Sequence, residues 1–200
     1  LSDIDKFLYS GEDYIKAGAT LAIGLVSAGV RNECDPASAL LSDLIETGSQ
    51  DVKNAAASAL GLAYAGSSRE DVIECLTPIV ANTEASADIK GVCLAALSLG
   101  MIFAGTCDED VGSVLMQRLM ESSEVELNNT MSRFICLAIG LLYLGQQEKA
   151  DAMLEVVKTL EHKIGKYAAI TLETCAYAGS GNVLKIQQML HVCAEHLEEL

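Results

Sequence analysis

Seven cysteines, three histidines and 28 carboxylates are the residues of this 200-residue chain that could carry chemistry. Their spacing leaves little of it available. The cysteines (Cys34, Cys75, Cys93, Cys107, Cys136, Cys175 and Cys193) contain no CxxC pair, the spacing expected of a structural zinc site or a redox dithiol. His191, Cys193 and His196 lie close together, but their spacing does not put all three on one helical face and no second ligand pair accompanies them. A packed or solvated helix accounts for them better than a metal. With His162, His191 and His196 as the only histidines, no Cys/His nucleophile pair is suggested, and buried cysteine is common in cores. Neither GxxxxGK[ST] nor GxGxxG occurs, so nothing cradles a phosphate. The turn AGSGN at 178–182 opens a helix and could attract an anion, yet it also reads as an ordinary inter-helix turn in an acidic chain. Carboxylate pairs such as Asp108/Asp110 fall in exposed turns. The expectation is a chain with no catalytic residue, no cofactor and no metal.

Bulk properties narrow the partners. A net charge of -15 argues against a nucleic-acid surface and against anionic membrane, and favours basic partners. The longest uncharged apolar runs, 91–105 and 134–145, are too short to span a bilayer. An odd number of scattered cysteines fits reduced thiols in the cytoplasm and nucleus rather than a disulfide framework. The start, LSDIDKFLYSGEDY, carries acids where a signal peptide needs bases. With no initial Met and an open helical pattern at its end, the chain reads as a piece of a longer protein. With no Trp, three Phe and two prolines (Pro36 and Pro78, both read as near segment starts), the core must be aliphatic and the fold helical.

The elements that position these residues are set by a repeat. LAIGLVSAG (21–29), SALGLAYAG (58–66), LSLGMIFAG (97–105), LAIGLLYLG (137–145) and TLETCAYAG (171–179) align, closing at Gly29, Gly66, Gly105, Gly145 and Gly179. Five residues before the first four closing glycines stand Gly24, Gly61, Gly100 and Gly140; the fifth copy has Thr174. Each copy predicts a small-residue helix (15–28, 51–65, 88–104, 126–144, 163–178), a glycine able to end it in the left-handed conformation, and a polar turn. A second, amphipathic helix follows (36–47, 69–82, 109–122, 147–160, 182–198), with Asp35 and Asp108 as N-caps. Glycine inside a helix costs about 1 kcal/mol against Ala, so its recurrence at one position implies close helix approach there. The expected fold is all-α, helix pairs stacked as an α-solenoid or toroid segment in one domain of about five units (15–50, 51–87, 88–125, 126–162, 163–200).

The glycine-punctuated LAIGL core with its following amphipathic helix resembles the proteasome/cyclosome repeat. The stretches VRNECDPASALLSD, LGLAYAGSSREDV, IFAGTCDEDV and CAYAGSGNVLKIQQMLHVCAEHLE carry the same resemblance over essentially the whole chain. It implies a toroid of concentric helices in the parent and a scaffold of the proteasome regulatory particle base. It further implies docking of ubiquitin and of ubiquitin-like domains of shuttle factors, beside other regulatory particle subunits. The receptor site it implies uses acidic residues on an outer helix after a TCxxD turn, here Thr106–Asp110 and the helix beyond. The acidic positions fall on Asp110 and Glu121, with a third on Gln117, a departure that weakens the charge. Read from the residues alone, Asp110, Gln117 and Glu121 share a narrow arc at 100° per residue, with Val114 beside them as one exposed apolar side chain. Val111, Leu115, Met116, Leu119 and Met120 are free to face the core. Taken without the resemblance, this face is ordinary solvated surface; with it, a receptor face for a small apolar patch ringed by Lys and Arg. Glu84 and Asp88 could extend the acidic surface. The alternatives are a structural module contacting ATPase or lid subunits without ubiquitin, and a cysteine-dependent hydrolase.

Overall fold

The computed structural model describes residues 2–29, 35–84 and 87–198, and every regular element among them is helical. Cys34 and most of the VRNECD turn lie outside the described residues. The inner layer is α2 (Asp13–Ser27), α4 (Gln50–Ala63), α6 (Ile89–Ile102), α9 (Arg133–Leu142) and α11 (Lys163–Ala176), each packed on the next in that order. Against it lie α3 (Pro36–Thr47), α5 (Glu70–Val80), α7 (Glu109–Glu121) and α10 (Asp151–Lys158), each leaning chiefly on the inner helix that follows it in the chain. A short α1 (Ser2–Leu8) covers α2, and α12 (Val183–Glu198) ends the chain. No further inner helix follows α12 among the described residues, and Val183, Leu184 and Leu190 remain exposed.

The interior glycines do what their recurrence implied. A Cβ added at Gly24 would stand 2.6 Å from the Ala59 Cα, and one at Gly100 would stand 2.5 Å from the Ala138 Cα. At Gly61 it would meet Ser98 and Met101, and at Gly140 Thr171 and Cys175. Gly24 and Gly100 therefore let the next inner helix come almost backbone to backbone, and Gly61 and Gly140 make room for its side chains, in a densely buried layer of Ala, Leu and Ile. All five closing glycines take positive φ, between 68° and 74°. Their amides do more than end a helix. The Gly66 N–H donates to Met101 O (2.9 Å), Gly105 to Leu141 O (2.9 Å) and Gly145 to Cys175 O (3.0 Å), so each turn satisfies carbonyls at the end of the neighbouring inner helix. Two residues on, Ser68, Cys107 and Gln147 also adopt positive φ; Ser68 and Cys107 donate to Ile102 O and Leu142 O.

Several expected elements differ. The inner helix expected over 126–144 is broken into α8 (Glu124–Leu127), a 3-10 turn (Thr130–Ser132) and α9. A capping box between Ser123 and Glu126 starts α8, and Asn129 caps the 3-10 turn, so polar side chains take backbone partners that a continuous helix would have used. The outer helix expected over 147–160 begins as a 3-10 turn (Gln147–Ala150), because Gln147 has φ 52°. Pro36 occupies the first turn of α3, but Pro78 lies inside α5, near its end rather than at a start.

Candidate functional site

Asp108 caps α7, its carboxylate accepting from the Val111 N–H at 2.9 Å, as the sequence reading expected. Val111, Leu115, Met116 and Leu119 are buried on the side packed against the core. Gly112 keeps α7 close to Leu142 and Met153, whose side chains would stand 3.3 Å from an added Cβ.

The far end of α7 is fixed by an arginine. Arg118, only 1% exposed, donates to Ser122 Oγ (2.6 Å) and to Glu126 Oε1 (2.6 Å). The other Glu126 oxygen accepts from the Ser123 N–H and hydroxyl, each at 2.8 Å. Burial works against the ionised Glu126, but the bonds from Ser123 and Arg118 prevail and hold its carboxyl below the usual range. The Arg118 Nε has no partner among the described residues, the one orphaned polar atom of an otherwise satisfied tie. The sequence reading missed this arginine, since a lone charge amid Leu and Met looks like surface.

On the outer side, Asp110, Gln117 and Glu121 are all exposed and form one stripe. Gln117 Nε2 donates to Glu121 Oε1 at 2.7 Å, so the odd amide of the stripe is bonded to one of its carboxylates. The apolar neighbour differs from expectation. Val114 is half-buried against the core, whereas Met120, expected to face inward, is 60% exposed. The reason is the direction of the core. Buried Leu115 and Leu119 centre the covered arc, Arg118 forms the edge beside Val114, and Met120 lies beyond the opposite edge at Met116.

Glu84 and Asp88 precede α6 rather than lying on α7. Glu84 is exposed before α6. Asp88 is half-buried and engaged, accepting from the Lys90 N–H (3.1 Å) as N-cap and from Asn54 Nδ2 (2.7 Å) across to α4. The outer helix beside α7 is α5, which exposes Glu70 and Glu74, acidic positions that the sequence reading did not single out.

Four of the thiols are poor nucleophiles where they stand. Burial pushes Cys93 up to about 11 and Cys136 up to about 12, and it raises Cys107 and Cys175 as well. Among the described residues no group of His, Cys, Asp and Glu could hold a metal ion. No helix there is long and apolar enough to cross a membrane.

The chain matches the Proteasome/cyclosome repeat family over residues 55–89 and 95–126. It is 50% identical over 195 residues to the 26S proteasome regulatory subunit rpn1 of Schizosaccharomyces pombe, covering 98% of this chain and 22% of that one. Against the 26S proteasome non-ATPase regulatory subunit 2 of Dictyostelium discoideum it is 42% identical over 198 residues, covering 99% of this chain and 22% of the relative. Homolog A of that subunit in Arabidopsis thaliana is 46% identical over 199 residues, again with 22% of its length matched. The chain thus spans about a fifth of the length of the relatives it matches.

Proposed function

This chain belongs to the proteasome/cyclosome-repeat family, and from that premise we propose that it is a non-catalytic scaffold and receptor segment of the proteasome regulatory particle base. It works in the cytoplasm and nucleus, where its free thiols stay reduced. Its inner layer holds the curvature of the stack and its outer helices meet partners. The receptor face is α7, which takes ubiquitin and the ubiquitin-like domains of shuttle factors. The observation that carries this reading is the exposed stripe of Asp110, Gln117 and Glu121 with Met120 at its edge, on a helix capped at one end and tied by Arg118 at the other. An acidic stripe beside one apolar side chain complements a small apolar patch ringed by Lys and Arg, and a fixed helix loses little order on binding.

NMR titration of the labelled chain with ubiquitin tests this. Resonances of Asp110, Gln117, Met120 and Glu121 should move, with micromolar affinity that falls as salt rises. Asp110→Lys with Glu121→Lys should weaken binding more than Asp151→Lys with Glu155→Lys. Unmoved α7 resonances at millimolar ubiquitin would sink the receptor reading. A second reading, a structural module that contacts ATPase or lid subunits without ubiquitin, draws on the exposed Val183, Leu184 and Leu190 of α12. Capture of those subunits by a chain silent toward ubiquitin would favour it.

A further inference from the structure

The broken inner helix leaves a cleft of about 40 Å³ between the 127–133 segment and the start of α11, lined in part by Asn129, Arg133, Lys163, Ile164 and Tyr167. We propose that this cleft binds a carboxylate of an acidic peptide segment, with Arg133 and Lys163 as its ligands.

Three observations lead there. Arg133 and Lys163 are exposed and neither forms a salt bridge among the described residues, in a chain of net charge -15. The other two arginines described, Arg69 and Arg118, both do. Secondly, the Arg133 guanidinium is already placed. It lies 4.5 Å over the Tyr167 ring and Nη2 reaches the Tyr167 hydroxyl at 3.4 Å, so little rotamer freedom is lost on binding. Lys163 opens the 14-residue α11, whose dipole adds positive potential on the same side.

The third observation is a comparison of equivalent junctions. Asn54 precedes Gly61 by as many residues as Arg133 precedes Gly140, and Asp88 precedes Gly100 as His162 precedes Thr174. Between α4 and α6, the Asn54 amide donates to the Asp88 carboxylate at 2.7 Å while Asp88 caps α6. Between α9 and α11, the cap is His162, whose Nδ1 accepts from the Ile164 N–H at 3.1 Å. The donor has grown from an amide to a guanidinium and the carboxylate opposite it is gone. The cleft exceeds the roughly 10–15 Å³ that one water needs, so a carboxylate oxygen can enter it. Nothing acidic lines it; Glu161 lies two residues before Lys163, and Glu126 is held by Arg118. A partner's Asp or Glu supplies the missing group.

The test is a titration of the full 200-residue chain with an end-blocked hexaglutamate peptide, followed by NMR. Saturable shifts are expected at Arg133 Nε, the Asn129 side-chain amide and the Tyr167 ring. Arg133→Met should weaken binding by about tenfold and Lys163→Met by about threefold. His162→Asp restores an internal carboxylate and keeps an N-cap, so it should abolish peptide binding with the circular dichroism unchanged; it keeps the idea testable if Arg133→Met fails to fold. Three results would overturn the proposal: no shifts at millimolar peptide, binding indifferent to both Lys163→Met and His162→Asp, or inorganic phosphate competing as well as the peptide. Ubiquitin shifts on α7 should be the same in His162→Asp, so the two sites stand or fall separately.

Discussion

The inner helix α6 and the outer helix α7 follow one another in the chain and solve opposite problems. α6 is packed on both flanks, against α4 and α9, and Gly100 stands where an added Cβ would lie 2.5 Å from the Ala138 Cα. α7 is packed on one side only, and its other side carries Asp110, Gln117, Met120 and Glu121 in water. The difference separates two kinds of constraint. Shape dictates residue type in the inner layer to within an atom, whereas charge can vary on the outer layer with little effect on the stack. A stack built this way can change the chemistry of its outer face without changing its inner packing.

The sharpest way to break that contrast is to add one carbon inside. Gly100→Ala gains about 1 kcal/mol of helix propensity. Its Cβ, however, would sit 2.5 Å from the Ala138 Cα, where backbone must move. A net loss of about 3 kcal/mol in urea unfolding is expected, with α6–α9 contacts disturbed first. A variant as stable as the parent would refute the close-approach account of the repeat.

That glycine was readable from the sequence because a costly residue recurring at a fixed position signals its cause. The same logic gave the left-handed closing glycines and the Asp35 and Asp108 caps, which the structure bears out. It fails where the residue type varies. Among the described residues the second left-handed position of the turns is Ser68, Cys107, Gln147 or Gly181, with no common side chain to betray it. The break at 128–132 depends on Asn129 and the Ser123–Glu126 box outcompeting helix continuation, a local contest that apolar periodicity does not register. On α7 the charged stripe was legible, but its apolar neighbour was not. Which edge of the stripe is covered depends on where α9 lies, so Val114 and Met120 exchanged roles.

Arg118 joins the two layers' logics, being a charge on an outer helix held as tightly as a core residue. Arg118→Ala should cost about 2 kcal/mol, through lost stem packing and a broken tie to Glu126 rather than through net charge. The pH dependence carries a matching signature. Glu126 is held below its unfolded value, so its contribution is complete above the usual glutamate pKa of about 4.3 and is lost as pH falls through the lowered one. Acid unfolding of the parent should therefore show a stability loss in that window that is smaller in Arg118→Ala, where only the Ser123 bonds still hold the carboxylate. Parallel acid curves for the two proteins would remove the ion pair from the account.

A smaller effect is expected at the turn. Gly145→Ala meets no atom within 4 Å, so only its φ of 72° is penalised. A loss of about 1 kcal/mol should follow, a third of that at Gly100, although both are glycines of the same repeat. Equal losses would mean that conformation rather than contact governs both positions.

The least costly change is the most informative about binding. Gln117→Glu exchanges the amide that donates to Glu121 for a second carboxylate one turn away. Like charges at this spacing cost an exposed helix about 0.3 kcal/mol, so the unfolding curve should barely move. On the receptor reading, the added charge should tighten ubiquitin binding by about twofold to threefold at low salt, with the gain fading as screening shortens the reach of the charge. Affinity unchanged at every salt concentration would mean that Met120 and the shape of the helix, rather than the acidic stripe, select the partner.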